Sequence, residues 1–304
     1  VLLPPSAIRE GPMKKKQNLL STIILTCLFL VGLSVMLYPT ISDWWNSKVQ
    51  SRAIASYSEA LTEIDNSHYE KLLQSAHDYN KRLRVVDTPF VNYDDVGGYE
   101  TALDISGTGI MGYITIPQIN VELPIYHGTS ESVLNIAVGH LEGTSLPVGG
   151  ADTHCVLSAH RGLPSARLFT DLDQLVVGDT FTITVLDEVL TYEVEQILIV
   201  LPHEMDKLAV LAGRDIVTLM TCTPYGVNTH RLLLRSRRVD TVYEQTRVVR
   251  VSADAVQMDP LLVVPLISAP LVLLLLCFWS IGSGKRRDLP YRNPLYHLPD
   301  RKDD

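Results

Sequence analysis

Thr218-Leu219-Met220-Thr221-Cys222-Thr223-Pro224-Tyr225-Gly226-Val227-Asn228-Thr229-His230-Arg231 is the stretch from which the fold can be read. From Ile216 to Cys222 the residues alternate as in a strand, so Thr218, Met220 and Cys222 share one face and Cys222 closes the strand. Thr223-Pro224-Tyr225-Gly226 and Asn228 are turn formers, and Arg231-Leu232-Leu233-Leu234 reads as the returning strand. A thiol and a guanidinium nine residues later therefore meet at one end of a sheet. A free cysteine is usually a small buried hydrophobe, but a strand end facing a basic residue favours the thiolate.

Outward from this stretch the chain reads as short strands at Gly112 to Ile116, Val121 to Ile125, Val156 to His160, Thr180 to Val185 and Leu190 to Val200. Turn residues such as Gly149-Gly150 and Asp187-Glu188 separate them. Many short strands with few helices predict a barrel or sandwich. Ser165 is expected to cap a short helix with Leu168, Phe169, Leu172 and Leu175 on one face. Ahead of the strands, Ala53, Tyr57, Leu61 and Ile64, then Tyr69, Leu72, Leu73, Ala76 and Leu83, recur at helical spacing and predict two amphipathic helices docked on the domain. Asp65-Asn66-Ser67 breaks the pattern and supplies the second helix's cap. Residues 84–106 show little periodicity and read as a long loop.

Two uncharged runs, Leu19 to Tyr38 and Leu261 to Ile281, are each long enough to cross a hydrocarbon core of about 30 Å. A cleaved signal peptide is the alternative for the first run, which lacks a clear cleavage site, and a buried core helix for the second. Lys14, Lys15 and Lys16 precede the first run, and Lys285, Arg286 and Arg287 follow the second, so both termini are expected in the cytoplasm with the intervening domain outside. Met13 reads as a natural start, with residues 1–12 an upstream extension. The formal charge of -8 and the scattered basic residues exclude a nucleic-acid footprint. Of four cysteines, Cys27 and Cys277 fall in the expected spans, and Cys155 alternates away from the face of Val156 and Ser158, towards a core. Neither His127 nor His154 has partners at metal spacing, so no metal or other cofactor is expected.

The Thr-Leu-x-Thr-Cys run with an arginine on the next strand resembles the sortase signature and matches it at every position. Leu157-Ser158-Ala159-His160-Arg161-Gly162 is similar to the sortase histidine segment, and Gly139-His140-Leu141-Glu142-Gly143-Thr144-Ser145-Leu146-Pro147 to the run preceding it in pilus-building, class C sortases. The resemblance spans about Val85 to Arg250. It implies an eight-stranded β-barrel and a catalytic set of Cys222, His160 and Arg231; His140 is the runner-up base, but the family motif favours His160 and His140 is read as a structural neighbour. It also implies transpeptidation at Leu-Pro-x-Thr-Gly-like signals, with a pilin lysine as acceptor.

On this reading the chain divides into a cytoplasmic N-terminus (1–18), a span (19–38), a helical stalk (39–83), a lid-like loop (84–109), the catalytic barrel (110–250), a second span (261–281) and a cytoplasmic tail (282–304). Class C sortases carry an Asp-Pro-aromatic lid, to which Asp87, Pro89 and Phe90 correspond. Here Thr88 stands directly before Pro89, which displaces Asp87 by one residue and weakens the expectation that it pairs with Arg231. The competing functions are a housekeeping sortase that uses a cell-wall precursor amine, a non-catalytic scaffold binding sorting signals, and a cysteine protease that uses water.

Overall fold

A computed structural model describes residues 13–241, with side chains from residue 21 onward. The run Leu261 to Ile281 lies outside the described residues. Eight strands, β1 (Ile110–Ile116), β2 (Val121–His127), β3 (Val138–His140), β4 (Thr153–Ser158), β5 (Thr180–Val185), β6 (Glu188–Val200), β7 (Asp215–Thr223) and β8 (His230–Val239), close into a barrel in the order β1-β2-β3-β4-β7-β8-β6-β5. Two pairs, β2 with β3 and β4 with β7, are parallel and the rest antiparallel. Alternation sends Ile114, Ile116, Leu157, Ile183, Val217, Leu219 and Leu234 into one buried core.

β3 was not foreseen. With three residues, one of them glycine, it carries too little pattern to register. Its Gly139 allows close approach to β2's exit, since a Cβ there would lie 2.4 Å from the Gly128 carbonyl oxygen. β4 ends at Ser158, so His160 lies just beyond the strand in which it was expected. The helix expected from Ser165 does not form. The segment is a chain of turns with one 3-10 turn at Leu172–Gln174, and Leu168 sits at a φ of 42°. Arg161 holds it in that shape by donating to the Thr170 carbonyl and pairing with Asp173. Leu168, Phe169, Leu172 and Leu175 are nevertheless all buried, as a plug in the core. Their spacing reported burial, not helix.

The N-terminal region also differs from the expectation. A single helix α1 (Met13–Glu63) runs without a break through Pro39, joining the apolar run to the first amphipathic segment. It is long and apolar enough to cross a membrane. Its later turns lie along β1 and β2. Arg167's backbone N–H donates to Asp43 at 2.7 Å, Asn46 to the Ser165 carbonyl at 2.7 Å and Gln50 to the Ile136 carbonyl at 2.7 Å. Tyr57, fully buried, donates to the Met111 carbonyl at 2.9 Å and accepts from Leu186 N–H at 2.7 Å. Helix α2 (Asn66–Leu83) starts on Asp65, whose carboxylate accepts from His68 N–H at 2.7 Å, as the sequence indicated.

Tyr57→Phe keeps the ring and orphans the Leu186 N–H and Met111 carbonyl. It should lower unfolding stability by about 1–3 kcal/mol, measured by urea denaturation of the barrel with its docked helices.

Candidate active site

β7 and β8 form a hairpin in which Cys222 stands directly opposite Arg231 and Thr223 opposite His230. The register expected from the turn residues is the one observed. Cys222 is a free, half-buried thiol. The Arg231 guanidinium donates to the Asn228 and His230 carbonyls at 3.3 and 3.2 Å. Among the described residues no carboxylate pairs with it, so its charge is uncommitted.

The third group arrives from β4. Parallel pairing aligns Ser158 with Met220, and beyond the strand end the chain stays on β7. Ala159 N–H donates to the Met220 carbonyl at 3.2 Å, and the Thr221 hydroxyl donates to the Ala159 carbonyl at 2.8 Å. His160 is thereby delivered beside the end of β7 that carries Cys222. Burial holds its imidazole below the ordinary range; Glu131 opposes that shift and the Arg231 charge adds to it. Thr221 lies within the decisive stretch, but nothing in the sequence announces its bond to Ala159. Glu131, the first residue of a short helix (Glu131–Leu134), was likewise unforeseen.

The outer face of β4, β7, β8 and β6 carries a second apolar cluster, Val156, Val200, Leu208 and Leu233, on which Met220, Met205 and Phe90 pack. Met220 shares Cys222's face of β7, so this cluster adjoins the thiol. Pro89 and Phe90 open the short helix α3 (Pro89–Asn92), and Thr88 before it adopts a φ of 50°. Asn92 fastens the turn by donating to the Asp87 carbonyl and the Thr88 hydroxyl, each at 3.0 Å. The segment presses on Gly143, where a Cβ would lie 2.5 Å from the Pro89 carbonyl oxygen. A cavity of about 220 Å³ remains between Pro89, Phe90, Leu83, Leu208 and Val210. The aromatic half of the expected lid thus lies on the outer face. Its acidic half does not engage: no ion pair joins Asp87 to Arg231 among the described residues.

Two further histidines are structural in their contacts. His140 is fully buried. Its Nε2–H donates to the Ser145 carbonyl at 2.9 Å, which leaves Nδ1 to accept from the Tyr99 hydroxyl at 2.9 Å. Burial pushes it down to about 4. His154 bridges the Ala209 carbonyl and the Thr218 hydroxyl at 2.9 and 2.8 Å, tying the β6–β7 connection to β7. Cys155 faces the core, where burial pushes its thiol up.

Residues 114–239 match the sortase domain model. Sortase C1 from Streptococcus agalactiae is 48% identical and superposes with a TM-score of 0.58, covering 63% of this chain and 100% of that one. The chain belongs to the sortase family. The sortase C-1 structure from Actinomyces oris is 46% identical at a TM-score of 0.51, covering 57% of this chain and 99% of that one. A sortase A of Streptococcus agalactiae is 23% identical over 212 residues, 68% of this chain and 79% of its own length. The protein is therefore a cysteine transpeptidase, and sortases act on sorting-signal substrates and amine acceptors.

His140 gives this sortase an acid-sensitive core. Its folded pKa lies below the value of about 6.5 that it regains on unfolding, so below pH 6.5 the unfolded chain binds a proton that the folded chain refuses. Its contribution is present above pH 6.5 and is lost as pH falls towards 4, by about 3 kcal/mol in all. His140→Gln should flatten stability against pH over that window, read from denaturation midpoints; an unchanged slope would remove His140 as the source.

Proposed function

We propose that this sortase polymerises pilin subunits, using Cys222 as nucleophile, His160 as proton carrier and Arg231 as oxyanion donor. The Cys222 thiolate attacks the Thr-Gly carbonyl of a Leu-Pro-x-Thr-Gly-like signal. Arg231 is charged at any working pH and stabilises the oxygen as its charge develops. His160 as imidazolium protonates the glycine amine as the C–N bond breaks, leaving a thioester on Cys222. A pilin lysine amine then attacks that thioester, His160 takes its proton, and the thiolate departs as the isopeptide bond forms.

The observation that carries this reading is the Cys222–Arg231 cross-strand pair with His160 held at the same end of β7. The pilus assignment is supported by the identity of 40% or more to sortase C structures. One of these, from Streptococcus pneumoniae, is described in terms of pilin substrate specificity. Phe90 on the outer face fits a lid that keeps water from the thioester until substrate displaces it. On the same reading residues 19–38 and 261–281 are membrane spans, both termini are cytoplasmic, and the barrel of residues 110–250 works outside.

Intact-mass analysis of the protein with a Leu-Pro-x-Thr-Gly peptide and a lysine-bearing pilin segment tests the proposal. Wild type should form an acyl adduct that moves to the lysine, and Cys222→Ala should form none. An adduct that only hydrolyses would make the protein a protease, and transfer only to a cell-wall precursor amine would make it a housekeeping sortase. Arg231→Met should lower kcat by about 100-fold or more. Phe90→Ala should speed Cys222 alkylation and peptide cleavage; unchanged rates would exclude gating by that ring.

A further inference from the structure

The same helix that reads as a membrane span also fixes which way the barrel faces. The strand pairings assign each contact of α1 to one end of the barrel. Cys222 lies at the C-terminal end of β7 and His160 just past that of the parallel strand β4, and Ser165 and Arg167 lie in the segment that leaves His160. Ile136 precedes β3, which runs antiparallel to β4, and so lies at that end as well. These are the partners of Asn46, Asp43 and Gln50, the part of α1 nearest the apolar run. Tyr57, further along, reaches Met111 at the start of β1 and Leu186 after β5, both at the opposite end. Helix α1 therefore enters at the end that holds Cys222 and leaves at the other.

Helical rise sets the height. Asp43 is five residues beyond Tyr38, about 8 Å along the axis, and Asn46 about 12 Å. Four hydrogen bonds spread along α1 leave no slack for a stalk to swing.

A second observation, independent of the helix, points the same way. The rim at this end exposes apolar side chains. Tyr225 and Val227, in the β7–β8 turn, are 59% and 64% exposed, and Ile199, opposite Leu232 one residue before the end of β6, is 66% exposed. Leu201 and Ile136 are exposed there too, and on α1 itself Trp44 and Trp45 are exposed at the level of the first docking bonds. Tryptophan and tyrosine favour the headgroup layer, where an amphipathic ring is half solvated.

We infer that the Cys222 end of the barrel rests against the lipid headgroup layer, with the rim of Ile199, Tyr225 and Val227 as a membrane-contact surface. The inference rests on the reading that α1 spans a bilayer. It places the thiol at the height at which a membrane-tethered substrate leaves the lipid.

Full-length protein in lipid nanodiscs tests it. With Trp44, Trp45 and Trp279 changed to phenylalanine, a single tryptophan is introduced as Val227→Trp, or as Val85→Trp for comparison. Val85 is exposed and follows Arg84, which pairs with Asp152 before β4, at the far end of the barrel. Lipids brominated near the headgroup should quench emission from position 227 and leave position 85 unchanged. Entry into discs with position 227 unquenched, or with both positions quenched alike, would overturn the orientation and leave the span intact. Failure to enter discs would overturn the span reading and this inference with it.

Discussion

The parallel pairing of β4 with β7 is the constraint from which the site follows. Had these neighbours run antiparallel, the residue after β4 and the last residues of β7 would lie at opposite ends of the barrel, about a strand's length apart. Because they run in parallel, the C-terminal ends coincide, and the Ala159 bonds to Met220 and Thr221 carry the alignment past the strand itself. A parallel pair needs a long crossover. Here it includes β5 and β6, which complete the barrel, and β6 returns to pair with β8. The β7–β8 connection is instead short, and brings Arg231 opposite Cys222. One long and one short connection thus bring three residues from separate parts of the chain to one rim.

Around that rim the local electrostatics are set by what is absent as much as by what is present. Among the described residues no carboxylate neutralises Arg231, and the guanidinium rests on two backbone carbonyls; on the proposed mechanism a substrate oxygen takes their place. His160 is drawn towards its neutral form by burial and by Arg231, while Glu131 pulls the other way. The net effect is to hold the imidazole below its ordinary range. On the outer face, Phe90 and Met220 pack against the same apolar cluster, on the face of β7 that carries Cys222.

Much of this was legible in the sequence. Alternation and turn residues gave most strands and the Cys222–Arg231 register, because a hairpin is local and its period is two. Asp65 was read correctly as a cap for the same reason. What was missed depends on contacts between distant segments. β3 exists because β2 and β4 flank it, and the four apolar residues between Leu168 and Leu175 are buried as a plug whose turns are held by Arg161. The continuity of α1 through Pro39 was hidden because the pattern changes there from an apolar run to an amphipathic one. Thr221's bond to Ala159 spans 62 residues and leaves no trace in local spacing. Of the lid residues, Phe90 packs on the outer-face apolar cluster, and among the described residues Asp87 makes no ion pair with Arg231.

The most direct measurement is a crystal structure of the protein with Cys222 acylated by a sorting-signal peptide that cannot be resolved. In that structure the Arg231 guanidinium should have left the Asn228 and His230 carbonyls to donate to the thioester oxygen, with His160 within hydrogen-bond reach of the leaving-group side and Phe90 displaced. An acyl oxygen turned away from an Arg231 that still holds those carbonyls would contradict the account.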